Sequence, residues 1–434
     1  MKGGLGIINK QFPGILVGTS LVILAATVLS AQTLYRQEMR VFVRQISQYA
    51  KSKKPSFAII PQNGHELITQ NGRSNGQLEE EYLQAIDGLG REDLFYGYTG
   101  DDIPTPTSVR NEYTAFLDRA VAQGKPVLVT DYVFTQTKVD DSYSLNANKG
   151  YIPFAANRRD LDQIPPYPPV PYRVHAGSVT SLGSAANFLY IINPSRYSSK
   201  NSFLAALRAT DYDVLIIDLF FNDTSLSASD VVSLKRKQNG GSRVVIAYMS
   251  IGEAEDYRYY WDNTWRPGSP PWLGEENPEW AGNYVVQYWH QGWKEIIYGS
   301  ENSYLDRIIA AGFDGVYLDK IDSFEYFETN PPPNRPPTVS ITGPVTGSTY
   351  TAPANITLAA TASDPDGTVA RVEFWTGTTM LNADTASPYA YSWTGVAAGS
   401  YALRAIAYDN QNATSTSPVV NITVYSSGTP GNQP

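Results

Sequence analysis

Between residues 37 and 327, short runs rich in Val, Ile and Leu recur at intervals, and the segments between them repeat their apolar residues at helical spacing. "MRVFVRQISQYAKSKK" puts Met39, Phe42, Ile46 and Tyr49 on one helical face, and "NEYTAFLDRAVAQGK" does the same with Tyr113, Phe116, Leu117, Ala120 and Val121, with Gly124 as the expected stop. The apolar runs do not alternate with polar residues, which is the pattern of parallel strands covered on both faces. Three such strands, "SFAIIPQNG", "DLFYGY" and "PVLVTDYV", precede the proline-rich stretch "IPPYPPVPYRV". Five follow it: "NFLYIINPSRY", "YDVLIIDLF", "RVVIAYMSIGEAEDY", "YVVQYWHQGW" and "FDGVYLDKID". Strands alternating with helices imply βα units, and three plus five is the number that closes a (β/α)8 barrel. An open doubly wound sheet is the second choice, and no Gly-rich first turn favours it.

The pattern changes after the stiff linker "NPPPNRPPT". From Val339 onward come short alternating strands with turn signals between them, as in an Ig-like β-sandwich. The "DPDG" carboxylates Asp364 and Asp366 admit calcium, but a turn is the plainer reading. At the other end, Lys2 and Lys10 precede an apolar run from Ile15 to Ala31, the form of an export signal or a retained anchor. The expected divisions are a signal or anchor at 1–31, the α/β domain at 32–329, a linker at 330–338, the sandwich at 339–426 and a tail at 427–434. Either reading of the N-terminus makes the chain secreted or cell-surface, with a membrane partner only if the segment stays uncleaved.

Composition narrows the chemistry. The 434 residues include no cysteine and three histidines, His65, His175 and His290. That excludes disulfides, thiolate metal sites and cysteine nucleophiles; no HExxH motif points to a zinc site, and none of the three histidines sits beside a GxSxG elbow as a serine triad would suggest. The net charge of -9 argues against a nucleic-acid partner, since phosphate binding needs basic patches. No cofactor is indicated.

Three segments, "IAYMSIGEAEDYRYYW", "PPWLGEENPEWAGNYVVQYW" and "GFDGVYLDKID", resemble the endo-α-1,4-polygalactosaminidase-related glycoside hydrolases, a family of (β/α)8 barrels. The family also has blocks like "FAIIPQNGHEL", "IDGLGREDLFYGY" and "GKPVLVTDY", which there follow the "YLDKID" block. Here they precede it. The resemblance thus implies a circularly permuted barrel, its old ends joined near residues 160–180. A closed barrel permits this, because its first and last strands are neighbours. The tail resembles bacterial Ig-like domains of secreted carbohydrate-active proteins.

In such barrels the working face lies at the C-terminal strand ends. There the chain offers Asn63, Glu92 with Asp93, Asp131, Asp218, Glu253 with Glu255, and Asp319 with Asp322. Any one of these carboxylates could instead cap a helix or close an ion pair; a ring of them is harder to assign to structure. Glycoside hydrolysis uses two carboxyl groups, about 5–5.5 Å apart in retaining enzymes and about 6.5–9.5 Å in inverting ones. The resemblance implies Asp319 as nucleophile, held ionised by Lys320 or nearby donors. It implies Glu92 as general acid/base, its pKa raised by partial burial. Asp322 would orient a sugar hydroxyl, an amine or Lys320, or serve structure alone. Six tryptophans between Trp261 and Trp293 either stack on sugar or pack a long loop, with Trp289 the first choice for contact because it follows a strand. Tyr248 on "IAYMS" points to the same face. The expected activity is a secreted hydrolase of an amino-sugar polysaccharide, with α-1,4-linked galactosamine as the implied polymer. The alternative is a noncatalytic carbohydrate-binding or adhesion protein on the same scaffold.

Overall fold

The computed structural model describes residues 20–428, with side chains from residue 34 onward. Residues 1–19 of the expected signal or anchor and the last six residues of the tail lie outside what it describes. Among the described residues no helix is long and apolar enough to cross a membrane. The chain divides into two compact units between Pro331 and Pro332.

The first unit contains eight parallel strands: β1 (Ala58–Pro61), β2 (Leu89–Glu92), β3 (Val127–Tyr132), β4 (Ile152–Ala156), β5 (Phe188–Ile191), β6 (Val214–Ile217), β7 (Val244–Ser250) and β8 (Gly315–Asp319). Neighbours follow in cyclic order. β2–β3–β4 form one ladder and β5–β6–β7–β8–β1 another. A parallel bridge between Gln62 and Gly90 joins β1 to β2. β4 lies beside β5, where the rings of Phe154 and Phe188 stand 5.5 Å apart, but no ladder connects them. Pro153 in β4 has no N–H to donate, which suits a strand laddered on one side only.

This strand set differs from the expected one in three members. "YIPFAA" is a strand that the proline disguised. The second strand is "LGRE", and "DLFYGY" lies beyond it as a turn leading to a short hairpin. Asn283–Val286 of "YVVQYW" leaves the eight and joins a small antiparallel sheet with Glu253–Glu255 and Leu273–Glu276. An apolar run of four or five residues does not specify which sheet it enters, so the count of eight survives while its membership changes.

Helices cover the strands. α1 (Ser20–Lys53) buries Met39, Phe42 and Ile46 completely, and α2 (Thr107–Ala122) buries Phe116, Leu117 and Ala120. Gly124 then takes φ +73, which ends α2 at little steric cost. α3 (Gln136–Asn148) follows β3; its mixed polar sequence gave no clear apolar stripe.

The strand interior is layered by alternation. Gly90 and Glu92 share one face of β2, and Tyr317 and Asp319 share one face of β8. A Cβ at Gly90 would stand 2.1 Å from the Tyr317 hydroxyl oxygen, so glycine is required for that ring to cross beneath the strand ends. Tyr317 meets Tyr190 edge-on at 5.2 Å, and the Tyr190 hydroxyl donates to Gln62 Oε1 at 3.1 Å. A layer of tyrosines thus forms the floor under Glu92 and Asp319.

The second unit is all β. One sheet has three strands (Thr338–Gly343, Ala354–Ser363, Tyr389–Val396) and the other six, centred on Gly399–Asp409 and Val369–Thr376. Leu358, Val372, Phe374, Leu403, Ala405 and Ala407 are fully buried in its core. At "DPDG" the Asp366 N–H donates to Asp364 Oδ1 at 3.3 Å, closing a turn.

Candidate active site

The C-terminal strand ends surround a cavity of about 550 Å3. Glu92, from the end of β2, and Asp319, from the end of β8, both line it, although 227 positions separate them in sequence. Asn63, Asp218, Tyr248, Glu253 and Asp322 line it too. Three expected residues, Asp93, Asp131 and Trp289, do not, and Asp93 is paired with Arg159. Asp131 is fully buried outside the cavity, where it accepts from the N–H groups of Phe95 (2.8 Å) and Tyr96 (3.2 Å), Ser142 Oγ (2.6 Å) and Asn146 Nδ2 (3.2 Å). Alternation explains this: Tyr132 reaches the cavity, so its neighbour Asp131 must point to the helix side, where it ties α3 to the turn after β2. Trp289 lies beyond the end of its strand and packs on Phe327 (4.7 Å), Tyr288 (5.0 Å) and Tyr35 (5.2 Å).

Each member of the proposed pair is held by a tyrosine from a neighbouring strand. In the ladders, Glu92 faces Thr130 and Asp319 faces Ser250. Tyr132 sits two residues beyond Thr130, so its hydroxyl reaches Glu92 Oε1 from the mouth side. Tyr248 sits two residues before Ser250, so its hydroxyl donates to Asp319 Oδ2 at 2.7 Å from the floor side. Asp319 gains a second donor, the Lys320 N–H, at 2.8 Å to Oδ1. Lys320 takes φ 60, a left-handed conformation costing roughly 1–2 kcal/mol for a residue with a Cβ, and that turn aims its N–H back at the carboxylate.

Burial pushes the Glu92 carboxyl up to about 7; the Asp319 and Asp93 charges add to the rise, and the Tyr132 hydroxyl and Arg159 oppose it. Asp319 is pushed up to about 6, again by burial, against the pull of Lys320 and the Tyr248 hydroxyl. Lys320 therefore does not hold Asp319 in the ordinary carboxylate range. Its ammonium pairs instead with Glu253 Oε1 at 2.8 Å, and Glu253 also accepts from Asn277 (2.8 Å) and Asn283 (3.3 Å). Arg258 spans Asp218 (2.8 Å) and Glu255 (2.6 Å). Three of the expected carboxylates are thus neutralised within the wall. Glu92, Asp319 and Asp322 have no ion-pair partner among the described residues, and burial raises the carboxyl of Asp322 as well.

Sequence reasoning missed Tyr132, Tyr190 and Arg159, all of which line the cavity; of the six tryptophans it put forward, Trp280 lines the cavity too. Tyr132 was within reach, since it shares the parity of Thr130 at the end of "PVLVTDY". Arg159 stacks on Tyr132 with its guanidinium 3.9 Å from the ring centroid and pairs with Asp93 at 3.0 Å, a contact between distant loops that no local signal announces. Trp280 is half-exposed at the cavity wall. Most of the other tryptophans pack: Trp261, Trp265, Trp272 and Trp293 form a chain of rings 5.2, 5.0 and 5.1 Å apart. Among the described residues no group of three or more His, Cys, Asp or Glu is arranged to hold a metal ion.

Comparison with known proteins finds similarity over parts of the chain. The model of glycoside-hydrolase family GH114 matches residues 176–344, and that of a bacterial Ig domain matches residues 337–405. The first match supports a glycoside hydrolase; it contains Asp319 and excludes Glu92. An uncharacterized protein of Methanocaldococcus jannaschii, MJ1477, is 42% identical over 156 residues, covering 36% of this chain and 43% of that protein. An uncharacterized protein of Thermotoga maritima is 42% identical over 131 residues, covering 30% of this chain and 39% of that one. The chain spans about two fifths of the length of these curated relatives. Among solved structures, an endo-β-1,4-mannanase from Thermotoga petrophila aligns over 89% of this chain and 95% of that one, with 10% identity and a TM-score of 0.28. The fibronectin(III)-like modules of Clostridium thermocellum CbhA align with 20% of this chain and 96% of that one, at 35% identity and a TM-score of 0.20.

Proposed function

We propose that the protein is an extracytoplasmic glycoside hydrolase that cleaves an amino-sugar polysaccharide, with Asp319 as nucleophile and Glu92 as general acid/base. The observation that carries this reading is the convergence of the two carboxyls on one cavity, both pushed above the ordinary carboxylate range. Glu92, at about 7, is protonated in mildly acidic solution and can donate to the leaving oxygen. Its Oε1 accepts from Tyr132, which leaves Oε2 to carry the proton. Asp319 loses its proton above about 6, and the donors on both of its oxygens fix its orientation for attack on the anomeric carbon. Once the covalent intermediate has formed, Glu92, now ionised, takes a proton from water as that water attacks.

The cavity wall suits a cationic sugar. Asp322 offers a carboxylate with no ion pair, and Trp280 offers a ring face for sugar C–H groups. α-1,4-Linked galactosamine is the polymer of choice, on the family resemblance. The cyclic strand order is read here as a permuted (β/α)8 barrel. Two facts support that reading: the GH114 match begins only at residue 176, and the blocks of β1 to β3 precede it instead of following. The long segment between β4 and β5, with its prolines, would be the joint between the former ends.

The test is incubation with α-1,4-galactosamine polymer and mass spectrometry of the products. The wild type should release oligomers, and Asp319→Asn and Glu92→Gln should release none while keeping the far-UV and thermal signature of the fold. Binding without turnover in the wild type, unchanged in Asp319→Asn, would instead establish a noncatalytic sugar-binding protein.

A further inference from the structure

A second cavity, of about 610 Å3, opens beside the first. The two share Phe220, Asn222, Tyr257 and Arg258 as a common wall, so they adjoin. Both fall within the ~300–1,000 Å3 typical of small-molecule sites. Beyond the shared wall the second cavity is lined by Asp223, Asp256, Tyr259, Trp261 and Asn263.

We propose that this second cavity is a distal subsite for another unit of the same amino-sugar chain, with Trp261 as its stacking platform and Asp223 and Asp256 facing an ammonium group. The proposal rests on the hydrolase reading and extends it. Three observations carry it. The second cavity adjoins the first across Phe220 and Tyr257, whose ring is exposed, so the next units of a chain seated in the first lie nearest to it. Trp261 is braced from behind by Trp265 (5.2 Å) and Tyr284 (4.9 Å), so holding it in place for a ligand costs little side-chain entropy. Asp223 and Asp256 are exposed and enter no ion pair among the described residues, whereas Asp218 and Glu255 of the first cavity are already paired with Arg258 of the shared wall. Negative charge is thus available to a ligand on the far side of that wall, and Arg258 marks where the internally neutralised part ends.

The experiment compares kcat/KM for α-1,4-linked galactosamine oligomers from trimer to octamer, fully deacetylated or N-acetylated. The wild type should favour the octamer. In Trp261→Ala, and in Trp261→Leu, which keeps more of the packing volume, the octamer-to-trimer ratio should fall about tenfold on both series. Asp223→Asn/Asp256→Asn should lower that ratio on deacetylated oligomers and leave it unchanged on acetylated ones. A ratio that no variant alters would overturn the subsite. If the wild type turns over no oligomer, the hydrolase reading itself fails. Calorimetric titration of the deacetylated octamer then decides the subsite separately: weaker binding in the variants upholds it, and equal binding removes it.

Discussion

Glu92 and Asp319 occupy matching places at the ends of two strands, and their surroundings separate them. Each is buried, and each is held by a tyrosine hydroxyl from the next laddered strand. Glu92 has that single donor and sits beside two other acidic groups, Asp319 and Asp93. Asp319 has a second donor in the Lys320 N–H and a lysine charge nearby. Burial drives both upward from ordinary values of 4.5 and 3.8, so the intrinsic difference between Glu and Asp carries through, with donors and neighbouring charge acting in the same sense, to about 7 against about 6. Two carboxyls in one pocket are thereby given different protonation states between those values, as acid and nucleophile require.

The largest expected effect is on rate. Asp319→Asn should lower kcat by at least about 10⁴-fold, and Glu92→Gln by about 10²–10⁴-fold, in steady-state assays on the polymer. The loss for Glu92→Gln should shrink on a substrate with a good leaving group, which needs no acid, and the loss for Asp319→Asn should not. Equal behaviour of the two variants would break the assignment of distinct roles.

The tyrosines should move opposite limbs of the pH profile. Activity requires Asp319 ionised and Glu92 protonated, so kcat/KM should be bell-shaped with limbs near about 6 and about 7. Each hydroxyl lowers the pKa of its carboxyl by donating to the charged form, and its removal raises that pKa. Tyr248→Phe should therefore shift the acidic limb upward and narrow the bell. Tyr132→Phe should shift the basic limb upward and widen it. Shifts of up to about one unit are expected.

Stability should follow the same logic. The folded chain holds the Glu92 proton more tightly than the unfolded chain, whose carboxyl titrates near 4.5. Stability is therefore lost as pH rises from about 4.5 through about 7. Glu92→Gln removes that dependence. At pH 8 it should be more stable than the wild type by about 1–2 kcal/mol, discounted for the exposure of Glu92 to the cavity, and at pH 4 about equal. Thermal melts at the two pH values check this.

Asp131 and Trp289 are expected to behave as structure. Asp131→Asn exchanges an acceptor of four hydrogen bonds for an amide and should cost about 1–3 kcal/mol in denaturant melts, with kcat of the folded fraction changed only a few-fold. Trp289→Leu should have the smallest effect on catalysis, with KM within about twofold of the wild type; a much larger rise in KM would return that ring to the ligand.

Much of this was visible in the chain. The helical faces of Met39, Phe42 and Ile46 and of Phe116, Leu117 and Ala120 follow from spacing alone, and all six are buried. So does the expectation that the polar end of "GVYLD" faces the working side; Glu92 was singled out by the family resemblance, since "LGRE" itself was not among the expected strands. The errors share a cause. "YIPFAA" was not among the expected strands; it carries a proline, which its place with a ladder on one side only can accommodate. "YVVQYW" looks like any other buried strand, and only its antiparallel pairing with Glu253–Glu255 sets it apart.

By itself, then, the sequence determined the main helical faces and six of the eight parallel strands, together with carboxyls such as Asp218 and Asp319 at their ends, because these depend on alternation and spacing within a few residues. Tertiary structure alone decided which strands became neighbours, that Tyr132 and Tyr248 hold Glu92 and Asp319, and that Lys320 and Arg258 are taken up by Glu253, Asp218 and Glu255. Those outcomes depend on register between strands far apart in the chain, and on whether burial or a nearby donor prevails at each carboxyl. No local pattern encodes either one.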